Sequence, residues 1–122
     1  MEKKKKEELR AHIKSPAVNK NLNVSHQNRH ILDSGGYIEG RSYLFSGIDP
    51  DVLIKRHHGT GEIRLDSAGN WINKEFVTLD RDVGVYINPS TGEEGITDTF
   101  SIHYSKRGAH IVPARPSKRR QK

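Results

Sequence analysis

Apolar and polar positions alternate most regularly in the last quarter of the chain, between Phe100 and Ser105. A repeat of two residues is the period of a strand that buries one face. Gly108 supplies the backbone freedom for a turn, and residues 109–112 form a second apolar run that Pro113 ends. The stretch from Thr97 to Arg115 therefore predicts a β-hairpin. Its polar positions are Ser101, His103, Ser105, Lys106, Arg107 and His110.

The loop length of this hairpin decides whether its two histidines can act together. A two-residue turn at Arg107-Gly108 would set Ser105 opposite His110, and a four-residue loop would set His103 opposite His110. Both even loops place the histidines on one face. A three-residue loop places them on opposite faces, because a one-residue slip inverts every side chain. The alternative is an ordinary hairpin whose outer face is merely polar.

Three segments before residue 62 carry helical signals. Residues 2–14 can form a charged helix but have too few apolar side chains to pack, so a linker is predicted there. A second helix is expected from Ser25, as its N-cap, to about Asp33. Asp49-Pro50 is a strong start for a third, because Asp caps a helix and Pro suits its first position. Gly59-Thr-Gly61 ends that helix.

Strand signals dominate from Glu62 onward. Trp71–Leu79 and Val83–Ile87 are predicted strands, separated from their neighbours by turns at residues 67–70 and 88–92. With the hairpin they make an antiparallel sheet of about four strands. The fold class is therefore α+β, with N-terminal helices packed on a C-terminal antiparallel sheet.

The composition limits the domain count and the partners. A length of 122 residues allows one domain. We expect a charged linker or tail at 1–20, the domain at 21–116 and a basic tail at 117–122. The net charge of +6 favours an anionic partner, although much of it lies at the two ends. There is no cysteine for disulfides or thiolate chemistry, and no apolar run long enough for a membrane span.

The histidines outside the hairpin allow several roles. His26 and His30 lie four apart on one helical face, a spacing that can hold zinc, but no third ligand accompanies them. We therefore predict no metal site and no cofactor. His30 is either functional or half-buried against the sheet. His57 and His58 lie in the last turn of the third helix, where the helix dipole favours cations.

The hairpin also resembles a known family. The run from His103 to Pro116 resembles the C-terminal signature of the type 50 bacterial polymorphic toxins, although Ala109 stands where the family often has Thr. Further matching segments occur in the family's order at Gln27-Asn-Arg-His-Ile31, Gly40-Arg-Ser42, Gly59-Thr-Gly61, Asn73-Lys-Glu75 and Val83-Gly-Val-Tyr86. The resemblance implies a ribonuclease-like toxin with a BECR fold, grouped with barnase, EndoU, colicin nucleases and RelE. It also favours His30 for function.

These features together predict a metal-independent endoribonuclease that cleaves RNA by transesterification from the 2′-OH. Imidazoles suit the acid and base steps at neutral pH, and cations suit the phosphate. The expected catalytic residues are His30, His103, His110, Ser105 and Glu75. The expected substrate-binding residues are Arg29, Arg41, Lys74, Lys106 and Arg107. DNA would not be a substrate, because it lacks the nucleophile.

The resemblance also implies the biological setting. It implies a toxic C-terminal module of a larger bacterial or phage-associated effector, delivered to act in the cytoplasm of a target cell. Its expected partners are RNA, with tRNA as one candidate, and a cognate immunity protein, with no membrane partner.

Two other functions fit parts of the sequence. A basic α+β domain can bind nucleic acid without cutting it, although the eight aromatic residues are not clustered like a stacking platform. A metal nuclease would need a compact acidic constellation, which Asp80, Asp82 and Asp98 do not form by spacing. A cleavage assay with and without a chelator separates all three functions.

Overall fold

A computed structural model of the chain describes residues 2–118. Its helical elements are α1 (Glu2–Lys14), α2 (Val24–Asn28), a short 3-10 turn (Leu32–Ser34) and α3 (Pro50–His57). Its strands are β1 (Tyr43–Leu44), β2 (Glu62–Leu65), β3 (Trp71–Thr78), β4 (Gly84–Ile87), β5 (Glu94–Thr97), β6 (Thr99–Ser105) and β7 (Gly108–Pro113).

The strands form two antiparallel sheets. The larger has the order β2-β3-β6-β7, and the smaller has the order β1-β4-β5. The α+β class and an antiparallel sheet of four strands are confirmed. The predicted strand Val83–Ile87 corresponds to β4, however, which lies in the smaller sheet, and β2 is the fourth strand of the larger one. The sequence did not predict the second sheet, because its β5 strand begins Glu94-Gly95 and has no alternating apolar signal.

The core lies on one face of the larger sheet. Phe100, Ile102 and Ile111 from β6 and β7 are fully buried there, and α3 contributes Leu53 and Ile54. This is the apolar face that the hairpin pattern predicted. The opposite face of the same sheet is left for the polar side chains of the alternation, and it carries the candidate site.

The expectation that residues 2–14 do not pack is wrong. α1 buries Ile13 completely in the core cluster, and Leu9 packs against that cluster. The side chain of Arg10 donates a 2.8 Å hydrogen bond to the carbonyl of Gly61 beside β2. Ile13, Leu9 and Arg10 therefore hold α1 against the domain.

The second predicted helix is shorter than expected and begins earlier. Its N-cap is Asn23, not Ser25, and the Asn23 side chain accepts a hydrogen bond from the backbone N–H of His26. The helix ends at Asn28, and a 3-10 turn replaces its predicted last turn. The start of α3 is as predicted, since Asp49 caps it and Pro50 takes its first position.

The free edge of β7 is covered by the segment before α2 and by one side chain of α2. Ala109 exchanges two backbone hydrogen bonds of 2.8 Å with Asn21 and Asn23. Further along, the Gln27 amide accepts from the N–H of Ile111 at 2.7 Å and donates to its carbonyl at 2.9 Å. Gln27 therefore takes the place of a strand residue, and it fixes α2 against the hairpin.

Candidate functional site

The register of the hairpin brings three site residues into one row. His103 on β6 pairs with His110 on β7, and on its other side it pairs with Lys74 on β3. The turn holds only Lys106 and Arg107, because Ser105 pairs with Gly108. The two-residue turn is therefore not at Arg107-Gly108, and His103 rather than Ser105 lies opposite His110. The loop is even, so the prediction that both histidines share a face is confirmed.

A bulge in β3 lies directly before Lys74. Asn73 has a left-handed φ of 63°, and the pairing with β2 shifts between Ile63 and Leu65. The indole N–H of Trp71 donates a 2.9 Å hydrogen bond to the carbonyl of Lys74, which closes the irregular segment. Bulges of this kind often set the direction of a side chain beside a site.

The N-terminal half of the chain adds His30, which follows α2 and is only 5% exposed. Its Nδ1 lies 2.8 Å from the carbonyl oxygen of Ser42. A carbonyl only accepts hydrogen bonds, so Nδ1 carries the proton and Nε2 of the neutral ring is left with its lone pair. Ser42 is itself fixed, because its hydroxyl accepts a 2.9 Å hydrogen bond from the N–H of Ile87.

Four imidazole rings meet at this place. The ring of His110 lies between the others, with its centroid 4.8 Å from His103, 5.4 Å from His26 and 5.9 Å from His30. The rings of His30 and His110 are nearly parallel, at 12°. Contact with the neighbouring imidazoles favours the neutral forms of His103 and His110, because like charges repel at this distance.

The electrostatics of the cluster follow from this packing. Burial and the neighbouring His110 and Lys74 lower the pKa of His103 to about 3. Burial, His30 and His26 lower the pKa of His110 to about 4. Burial also lowers the pKa of His30, and this outweighs the opposing hydrogen bond to Ser42. The free protein therefore holds neutral imidazole rings beside cationic side chains. A bound anion would offset the positive charge of those side chains.

Ser101 is one of the polar positions of the hairpin, and the structure places it against His103. Its hydroxyl oxygen lies 2.7 Å from Nε2 of His103, and it is 3.4 Å from the carbonyl of Val112. A proton on Nε2 can therefore be donated to Ser101, which in turn can donate to Val112. This chain of hydrogen bonds orients the His103 ring.

The polar face of the larger sheet forms the floor of a cleft of about 1100 Å³. His30 and His103 line it, and the loop before β1 and strand β4 supply further lining residues. The cationic side chains that line it are Arg41, Arg64, Lys74, Arg115 and Lys118.

The cleft is bordered by the segment 114–118, which we call the C-terminal strap. The carbonyl of Ala114 accepts a 2.6 Å hydrogen bond from the hydroxyl of Thr97. Further along, the hydroxyl of Ser117 donates to Asp98 at 2.7 Å. Burial alone would raise the pKa of Asp98, but hydrogen bonds from Ser117 lower it overall. The strap is therefore anchored by Thr97, the last residue of β5, and by Asp98, which lies between β5 and β6.

A comparison with known families matches residues 22–113 to the family described as Bacterial toxin 50. This chain belongs to that family. Membership makes it a toxin domain of the polymorphic kind and indicates an effector module. No curated protein gives a significant match. Between residues 2 and 118 no helix has the length and apolar character needed to cross a membrane.

Glu75 was predicted to be catalytic, but the toxin domain places it on the core face of β3, opposite to the face that carries His103 and Lys74. It is 0% exposed and accepts hydrogen bonds from the N–H groups of Gly59 and Gly61 at 2.7 and 2.9 Å. It also accepts one from the Tyr104 hydroxyl. These contacts hold the turn after α3 against the sheet, so we remove Glu75 from the candidate site.

The predicted residues at the hairpin tip also lie outside the cleft. The hydroxyl of Ser105 donates to the carbonyl of Gly108 at 3.1 Å and accepts from the N–H of Arg107, so it stabilises the turn. Lys106 and Arg107 are exposed at that turn and do not line the cleft. Arg29 is exposed too, but it lies near enough to lower the pKa of both His30 and His110.

Three further observations concern metal binding, His58 and His26. Within the described residues, no three His, Asp or Glu side chains are grouped so as to hold a metal ion. His58 caps α3, since its Nδ1 lies 2.7 Å from the carbonyl of Ile54. His26 joins the cluster through His110, a contact that its spacing from His30 did not predict.

Proposed function

We propose that this toxin domain is a metal-independent endoribonuclease that cleaves RNA through its own 2′-OH. The observation that supports the proposal most directly is the meeting of His30 and His103 in one cationic cleft. They come from different parts of the fold, so an acid and a base can flank one phosphate from two rigid elements.

His30 is the proposed general base. The carbonyl of Ser42 holds its proton on Nδ1, so Nε2 is free to accept the proton of the 2′-OH. The lowered pKa of His30 keeps the ring neutral at physiological pH, which is the state a base requires. The position of the ring is fixed by Gln27, because that side chain ties α2 to β7.

His103 is the proposed general acid. It must be protonated to give its proton to the leaving 5′-oxygen, and a bound phosphate favours that form by adding negative charge. Ser101 supports the charged ring by accepting a hydrogen bond from Nε2, which leaves Nδ1 for the leaving group. His110 packs between the two catalytic rings and fixes their separation.

Lys74 and Arg41 are proposed to bind the phosphate. Lys74 lies in the row of His103, and Arg41 directly precedes the residue that orients His30. Both line the cleft, so both can stabilise the charge that develops on the phosphate oxygens. The expected product is a 2′,3′-cyclic phosphate, and DNA is expected to bind without being cut.

The test is incubation of the purified protein with RNA in EDTA, followed by mapping of the cleaved ends. We expect cleavage with cyclic phosphate ends, and a loss of rate of roughly a hundredfold or more for His30→Ala and for His103→Ala. His12→Ala is the matched control, because His12 is exposed on α1, and it should keep the parent rate. Binding of RNA without cleavage, or cleavage only with a divalent cation, would overturn the proposal.

We further propose that a cognate immunity protein neutralises the domain by covering this cleft. The cations of the cleft favour an acidic partner surface, which would also speed association. A complex in which His30 and His103 stay open to solvent would contradict direct occlusion. Delivery as part of a larger effector, and action in the cytoplasm of a target cell, complete this proposal.

A further inference from the structure

The polar face of the larger sheet carries one aromatic ring that the proposed chemistry does not use. Phe76 lies on β3 between Glu75 and Val77, which both point into the core. Phe76 therefore points to the opposite face, where it is half-buried and lines the cleft. An aromatic ring on a polar, partly exposed face contributes little to the core and is available for a ligand.

The ring of Phe76 is covered by a guanidinium. The central carbon of the Arg64 guanidinium lies 3.7 Å from the ring centroid, which is the geometry of a stacked cation and aromatic ring. Arg64 is fixed in this position, because its Nε donates a 2.7 Å hydrogen bond to Glu62. The guanidinium thus lies over the ring at the floor of the cleft, with the Arg64 side chain more than half exposed.

The register places this stack one step from the histidines. Phe76 pairs with Ser101, and the adjacent pair on the same face is Lys74 with His103. Two residues along a strand correspond to about 6.8 Å, so the stack lies about that far from the phosphate-binding row. That separation suits a nucleotide whose phosphate is at the row and whose base is over the stack.

We propose that Phe76 and Arg64 form a nucleobase subsite, in which a planar base stacks on the guanidinium or replaces it on the ring. Glu62 is a positioning residue that holds Arg64 flat over Phe76. Base stacking is tolerant of sequence, so the subsite contributes affinity and places the RNA strand without selecting one base. This inference rests on the proposed function for its ligand, a ribonucleotide strand, but it concerns different side chains.

The experiment measures binding of a short 2′-O-methyl oligoribonucleotide, which lacks the nucleophile and so is not cut. Inorganic phosphate is measured separately, from the chemical shifts of the histidine rings. Phe76→Leu should raise the Kd for the oligonucleotide roughly tenfold, which is the scale of one lost base stack. The same variant should keep the Kd for phosphate within about twofold of the parent value. Phe76→Trp should restore binding. Thr78→Ala is the control, because Thr78 lines the same face one position further along.

A second ligand tests whether the lost contact is to a base. The same oligonucleotide is made with one abasic position at a time. At one of these positions, removal of the base should weaken binding to the parent protein as much as Phe76→Leu weakens binding of the intact oligonucleotide. With that abasic ligand, Phe76→Leu should have no further effect, because the two changes remove the same contact. Additive losses at every position would overturn the subsite, as would unchanged binding by Phe76→Leu or no binding by the parent.

The outcomes also separate this inference from the ribonuclease proposal. If the protein binds the oligonucleotide through Phe76 but does not cut RNA, the subsite proposal stands and the ribonuclease proposal is refuted. A protein that cuts RNA with no dependence of binding on Phe76 keeps the nuclease and refutes the subsite.

Discussion

The hydroxyl oxygen of Ser101 lies 2.7 Å from Nε2 of His103, two residues along the same strand. Residues two apart share a face of a strand, so the two side chains are neighbours on the cleft face of β6. Ser101 is 3% exposed, and its hydroxyl has the carbonyl of Val112 as its second partner. The orientation of the His103 ring is therefore set by a buried hydroxyl.

Ser101→Ala should lower the rate of RNA cleavage about tenfold while the protein stays folded. The physical reason is the loss of a hydrogen bond that supports the protonated His103, so the pKa of His103 should fall further in the variant. The pH dependence of kcat/KM is the decisive measurement, because the limb due to the acid should move to lower pH. Ser101→Thr keeps the hydroxyl and should restore most of the rate. A parent-like pH profile in Ser101→Ala would show that the hydroxyl serves packing alone.

The free energy of unfolding should fall as the pH is lowered from about 6.5. In the unfolded chain a histidine titrates near 6.5, whereas the folded protein lowers the pKa of His103 to about 3 and of His110 to about 4. Between these values the unfolded state binds more protons, so stability is present above pH 6.5 and is lost as the pH falls toward 4 and then 3. At pH 5.5 the loss should be about 1 kcal/mol per histidine.

Urea unfolding at pH 7.5, 6.5 and 5.5 measures this effect. His103→Gln should reduce the change in midpoint across that range, since the variant no longer has this titrating ring. Ser67→Ala, at an exposed residue that does not titrate, should leave the change as it is in the parent. Equal pH dependence in the parent and in His103→Gln would mean that another group causes it.

Glu75→Gln should destabilise the protein without removing its chemistry. The carboxylate of Glu75 accepts from three donors in a fully buried position, and an amide would turn its own N–H groups toward at least one of them. We expect a loss of about 2–3 kcal/mol in the free energy of unfolding, with cleavage per folded molecule close to the parent value. Glu8→Gln on the exposed face of α1 is the control. A stable variant with a large loss of rate would return Glu75 to the site.

Gln27→Ala should affect both stability and rate. It removes both hydrogen bonds to the backbone of Ile111 and leaves those buried groups without partners, at a cost of about 2–4 kcal/mol. The rate at low temperature should also fall several-fold, because Gln27 sets the position of His30 relative to the hairpin. Val24→Ala, on the exposed side of α2, should change neither quantity appreciably. A rate that is unchanged despite the lower stability would show that Ser42 alone positions His30.

The sequence predicted the elements whose signals are local. The alternation from Phe100 to Ser105 identified the strand and its faces, and Asp49-Pro50 identified the start of α3. The same alternation rule shows why Lys74 and Glu75 could not both belong to the site, since neighbours on a strand point to opposite faces. Burial decides between the two, because Glu75 is fully buried on the core face and Lys74 lines the cleft.

The parts that could not be predicted depend on contacts distant in sequence. Nothing local marks Gln27 as the partner of the β7 backbone, or Ile13 as a core residue within a charged helix. Ser42 orients His30 through its backbone carbonyl, which any residue could supply, so its side chain gives no signal of that role. The residue type of Phe76 suggests a core position, and only the strand register shows that its ring faces the cleft.

The hydrogen bonds between Gln27 and Ile111 join residues that are 84 apart in the chain, and this separation has a kinetic consequence. His30 and the hairpin histidines come together only when that long loop closes. A partly folded state in which only the N-terminal or only the C-terminal half is folded therefore lacks the complete site. Closing a long loop slows folding more than it lowers stability. In a refolding experiment, activity should therefore return with the slowest structural phase. Formation of strands in earlier phases should produce no activity.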